Sequence, residues 1–156
     1  VYTNLDEALR HPENVFILNL SGQNLTKLPE SIGSFSNLQV LHLGYGIKKS
    51  TPKKVLQQAE RIGGGILHLD RGTGKYLEYN RLRELPDTIA NLKKLQYLNL
   101  YHNDFDEVPM ILKELKSLQY INFYDCYGLI DNKAQIDELQ AALGPGCKIG
   151  VVTKSE

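Results

Sequence analysis

Apolar and polar positions along this chain recur in a pattern that three segments share. Leu18 opens LNLSGQNLTKLP, Leu77 opens LEYNRLRELP and Leu98 opens LNLYHNDFDEVP. Each segment closes on a proline (Pro29, Pro86 or Pro109), and an apolar residue follows three positions later at Ile32, Ile89 or Leu112. The pattern then restarts at NLQVLHL, KLQYLNL or SLQYINF. From Leu18 to Leu41 is 23 residues, and so is the interval from Leu98 to Ile121. A fixed period of this length predicts a solenoid, in which each unit buries its apolar edge only by stacking on its neighbours.

Within one unit, the alternation of LxL sends Leu18 and Leu20 inward from a short strand and Asn19 outward. The chain must then turn, and a small polar group inside the turn can bond backbone groups that would otherwise be buried unpaired. Gln23, Asn103 and Cys126 hold that position in three units. The Leu-Pro step next commits the chain to an extended or short helical return path, because proline fixes φ and removes a donor. The expected class is α/β: a parallel sheet on a concave side and short helices on the convex side.

These positions fit LxxLxLxxN/CxL, and the chain resembles the leucine-rich-repeat family. The phrasing TNLDEALRHPENVFILNLSGQNLTKLPESIG at the start and DELQAALGPGCKI at the end is similar to free-standing bacterial members. Ile32-Gly33, and Ile89 with Leu92 and Leu95, also resemble plant and Ras-group intracellular repeats. The resemblance implies a binding scaffold without chemistry of its own and names no ligand.

The spacing breaks between Leu43 and Leu98. Residues 52–62 read as a helix: Ser50 or Thr51 suits the cap, Pro52 the first turn, and Val55, Leu56, Ala59 and Ile62 form one apolar stripe before Gly63. ILHL at 66–69 copies VLHL at 40–43, which predicts a strand near 65–69 and a loop over 71–79. The alternative register, a strand at Leu77, would turn Lys75 inward, where an unpaired ammonium is costly. Parallel strands are thus expected near 16–20, 39–43, 65–69, 96–100 and 119–123, with a last one near 148–152. Repeats would cover 15–126, irregular over 47–80, in one domain spanning 1–156. Residues 1–14 and 127–156 would cap it, the first through a helix capped by Thr3, the second through Ile136, Leu139 and Leu143 on one helical stripe.

Strand register sorts the outward side chains into columns. One column reads Asn19, His42, His68, Asn99 and Asn122; those beside it read Ile17, Val40, Ile66, Tyr97 and Tyr120, and Ser21, Gly44, Asp70, Tyr101 and Tyr124. A flanking column adds Tyr45, His102 and Asp125. Aromatic residues stabilise sheets without binding anything, yet clustered on an open face they compose a recognition surface. The candidate ligand-binding set is therefore His42, Tyr45, His68, Asp70, Tyr97, Asn99, Tyr101, His102, Tyr120, Asn122 and Tyr124. A protein or peptide is the expected partner. A carbohydrate or small polar ligand is the alternative, since Tyr faces stack on sugar rings as well. His42 and His68 with Asp70 make half of a Zn²⁺ site, but no third His shares the column, so no metal or other cofactor is assigned.

Composition narrows the classes further. Apolar residues make up 42% and charged residues 23%, as in ordinary globular domains. With 18 basic and 18 acidic residues and no basic stripe, nothing points to nucleic acid. No apolar run approaches the roughly 20 residues of a membrane span. There is no GxSxG, HExxH, Walker-type loop or CxxC. Gly63-Gly64-Gly65 follows a predicted helix, the wrong order for cradling an anion, so no enzyme is expected. The chain starts at Val1 with no leader, and a trimmed start leaves the compartment open.

Overall fold

The computed structural model describes residues 1–44, 69–70, 75–76 and 79–152. Helix α1 (Leu5–Ala8) leads into β1 (Ile17–Asn19) and β2 (Val40–His42). A two-residue pair, β3 (Leu69–Asp70) and β4 (Lys75–Tyr76), comes next. Strands β5 (Tyr97–Asn99) and β6 (Tyr120–Asn122), helix α2 (Lys133–Leu143) and strand β7 (Lys148–Gly150) complete the order. The main sheet is parallel and runs β1-β2-β5-β6-β7. Leu18, Leu41, Leu98, Ile121 and Ile149 share one row of its register.

The inward alternation expected of LxL is present. Leu18, Leu41, Leu98 and Ile121 are fully buried, as are Leu20, Leu43, Leu100 and Phe123 one step on. Proline opens each return path in extended geometry, and a single 3-10 turn follows at Glu30–Ser34, Asp87–Asn91 and Met110–Glu114. Those turns pack on one another and bury Ile32, Ile89 and Leu112. A fully buried Leu or Ile contributes about 1.5–3 kcal/mol, so the stacked columns are the main source of stability.

The expected third strand is corrected. β2 pairs directly with β5, Val40 opposite Tyr97 and His42 opposite Asn99, so no strand lies between them. The alternative strand at Leu77 would need the same place between β2 and β5, and Leu77 itself lies outside the described residues. Leu69–Asp70 instead pairs antiparallel with Lys75–Tyr76 in a separate ladder. The helix expected over 52–62 and residues 65–68 lie outside the described residues.

The second coil runs through Gly44 and resumes at Tyr79. Leu41-His42-Leu43-Gly44 followed by Tyr79-Asn80-Arg81-Leu82 matches Leu98-Asn99-Leu100-Tyr101 followed by His102-Asn103-Asp104-Phe105. Leaving out residues 45–78, 34 positions, cuts the Leu41 to Leu98 interval from 57 residues to the common 23. The interruption therefore falls within one coil, at the end of its strand.

Both ends of the stack are covered. Tyr2 bridges to Leu18 beside β1, and Asn4 rather than Thr3 caps α1, accepting from the Glu7 amide. At the other end α2 buries Ile136 and Leu139 and stops at Gly144, whose φ is 79°. Cys126 and Cys147 are buried free thiols, and burial is the main cause that pushes the Cys126 thiol up to about 12.

Candidate functional site

On the solvent face of the sheet the central column reads Asn19, His42, Asn99, Asn122 and Gly150. His42 therefore lies beside Asn99, and the place expected for His68 is absent from the sheet. Asp70 pairs with Lys75 in the other ladder, outside the sheet that carries His42. His68 and Tyr45 lie outside the described residues. Among the described residues, no three His, Cys, Asp or Glu side chains are grouped to hold a metal ion.

Three aromatic rings do come together. His42 and Tyr97 have ring centroids 5.5 Å apart, and Tyr97 stacks on Tyr120 at 5.1 Å with 17° between planes. The stack follows from the register, which sets these residues on neighbouring strands about 4.8 Å apart. All three rings are half-buried and keep an edge in solvent. Burial lowers the pKa of His42, and it raises those of Tyr97 and Tyr120, helped by the neighbouring tyrosine in each case. Near neutral pH the row is an uncharged strip. Tyr124 extends it and is 42% exposed. A Cβ at Gly150 would lie 2.7 Å from the Tyr124 ring and 3.0 Å from the Tyr120 hydroxyl, so this strand approaches both rings as only glycine allows.

Other expected site residues turn out to serve the coil. Asn99 and Asn122 are buried, and their placement on an open surface is corrected. Their amide oxygens accept the backbone N–H groups of Tyr101 and Tyr124, each at 3.0 Å, as Asn19 does for Ser21. Tyr101 is also corrected. It is 4% exposed, and its hydroxyl donates to Asp125 at 2.5 Å. Period-2 alternation ends with the strand, so the side chain after Leu100 need not point outward.

A second cluster sits where the strands end. Tyr79 meets His102 edge-on at 4.5 Å, and Tyr127 meets His102 at 6.4 Å with 83° between planes. Tyr79, absent from the expected set, occupies the position of His102 in the second coil. Its signal was the match of YNRLRELP to HNDFDEVP, which aligns Asn80 with Asn103. Arg83, Asp104, Asp106 and Gly128 line the open groove beside these rings.

One comparison with known families agrees with the repeat. The family model described as Leucine Rich Repeat matches residues 94–115, the coil that carries β5. That coil carries a leucine-rich repeat, and the same coil stands on either side of it. A solved leucine-rich-repeat protein of Leptospira interrogans is similar at 27% identity over 80% of this chain, with a TM-score of 0.28. The chain spans 41% of the length of that protein. The search of curated proteins finds no match. No described helix is long and apolar enough to cross a membrane.

Proposed function

We propose that this chain is a non-catalytic binding module whose concave sheet face recognises a protein or peptide. The observation that supports this best is the stacked row His42, Tyr97 and Tyr120, continued by the exposed Tyr124. Tyr supplies large contact area with few rotors to freeze and a hydroxyl for orientation, the properties of an interface anchor. A row of rings across neighbouring strands suits an extended partner segment running across the sheet. A sugar ring would stack on the same tyrosines, so the test must separate the two.

The test is a pull-down with the whole chain, followed by affinity measurement for each captured partner, beside a glycan array. Replacing Tyr97, Tyr120 or Tyr124 with Ala is expected to weaken binding by about 1–3 kcal/mol each. Lys93→Ala and Glu114→Ala, on the return path, are expected to change nothing. Tyr101→Ala is a poor probe, because that ring is part of the packing. Normal binding by all three Tyr variants would overturn the reading. Glycan binding lost in the same variants, with no protein captured, would transfer it to carbohydrate.

A further inference from the structure

We propose that the groove at the strand ends, lined by Tyr79, His102, Tyr127, Asp104 and Asp106, receives an arginine side chain of a partner. The groove is separate from the aromatic row, and the inference stands whether or not that row binds. Three coils build it: Tyr79 comes from the second, His102 from the third, and Tyr127 follows the fourth. His102 packs edge-on against both tyrosines, yet Tyr127 remains 60% exposed. The Tyr101 hydroxyl donates to the Asp125 carboxylate, which also lines the groove beside Tyr127.

Two observations favour a guanidinium. The chain already places one on this aromatic surface, with the Arg81 guanidinium carbon 5.7 Å from the Tyr79 ring centroid. The carboxylates lining the groove also outnumber its cations. Asp104 and Asp106 are exposed, and among the described residues neither forms an ion pair, while Arg83 is the basic residue that lines the groove. Gly128 lets the fourth coil close on the third. A Cβ there would collide with the Phe105 carbonyl and lie 2.9 Å from the Asp106 carboxylate. A guanidinium is planar and carries five donors, so it can stack on Tyr127 while donating to carboxylates beside it. An ammonium offers only a point charge.

The experiment titrates the whole chain with Nα-acetyl-arginine amide and follows backbone amide resonances by NMR. Saturable shifts are expected at residues 102–106 and 125–128, with none from the neutral citrulline analogue. Asp104→Asn combined with Asp106→Asn should weaken binding about tenfold, and Tyr127→Ala by a similar factor. Tyr97→Ala should leave it unchanged, which separates this groove from the aromatic row. Because Asp104 and Asp106 are exposed, the double variant keeps its fold and tests the groove even if Tyr127→Ala does not. Shifts elsewhere, equal binding of citrulline, or unaltered affinity in the double variant would each overturn the proposal. A lysine analogue binding as tightly as the arginine one would overturn the assignment to arginine.

Discussion

The second and third coils make the same bonds from very different stretches of chain. In the third, Asn103 follows Leu100 by three residues; in the second, Asn80 follows Leu43 by 37. Asn80 nonetheless donates to the carbonyls of Leu20 and Leu43, both at 2.9 Å, and accepts from the Leu25 amide at 2.9 Å. Asn103 donates to those of Leu43 and Leu100 and accepts from the Leu82 amide at 2.9 Å. Just beyond, Arg81 donates its amide to the Leu25 carbonyl as Asp104 does to Leu82. Each coil is thus defined by what it stacks on, and continuity of the chain within it is dispensable. A solenoid tolerates a long insertion where a strand ends because the coil before and the coil after still bury the same columns.

The largest effect that tests this comparison should come from Asn80→Ala. Asn80 makes four bonds, including one from the Gln23 amide at 3.1 Å, and it is fully buried. Each buried backbone group left unpaired costs about 1–3 kcal/mol, so a loss of about 4 kcal/mol is expected in urea unfolding. Asn103→Ala should cost somewhat less, about 3 kcal/mol, since Cys126 also bonds the Leu100 carbonyl. A much smaller cost at Asn80 than at Asn103 would mean that the interrupted coil is the looser one.

A smaller effect, and the sharpest test, is removal of residues 45–78. Gly22, His102 and Asp125 hold φ of 66°, 55° and 58° at the equivalent turn, so the shortened chain should carry Tyr79→Gly. By chain entropy alone, closing 34 residues costs about 3 kcal/mol, and that is the most the deletion can restore. We expect cooperative unfolding at wild-type stability or up to that much above it. A product that does not fold would show that the insertion belongs to the coil it interrupts.

The smallest effect concerns His42, where the second coil faces the third. Burial holds its pKa below the usual 6.5. The unfolded chain therefore takes up the proton first as pH falls. The stability this neutral ring contributes is present above about 6.5 and is lost as pH drops towards the folded value. His42→Gln should flatten the pH dependence of unfolding in that window while leaving stability at pH 8 nearly unchanged. An identical slope in the variant would mean that other groups carry it.

Much of the candidate site was legible from alternation alone. His42, Tyr97 and Tyr120 fall between or beside inward leucines, and the parallel register brings their rings into contact. Asn99 and Asn122 occupy their expected column but are buried, because their amide oxygens turn back onto the chain two residues ahead. Tyr101 escaped the rule for a related reason, since it lies just past the strand, where a turn and Asp125 decide its direction. A strand was expected between β2 and β5 because ILHL matches VLHL as a local pattern, and a local pattern carries no information on which neighbour a strand will find.

The sequence by itself determined the period, the buried columns and the polar turn positions at Asn103 and Cys126, whereas Gln23, expected inside its turn, is exposed. Each depends on spacing along a few residues: two for a strand, 23 for a coil. Only the tertiary structure decided that the strand at 40–42 pairs with the one at 97–99, and that Asn80 completes a coil begun at Leu41. Those outcomes depend on which stacking leaves no backbone group unpaired and no leucine column broken, a condition on the whole array that no single segment states.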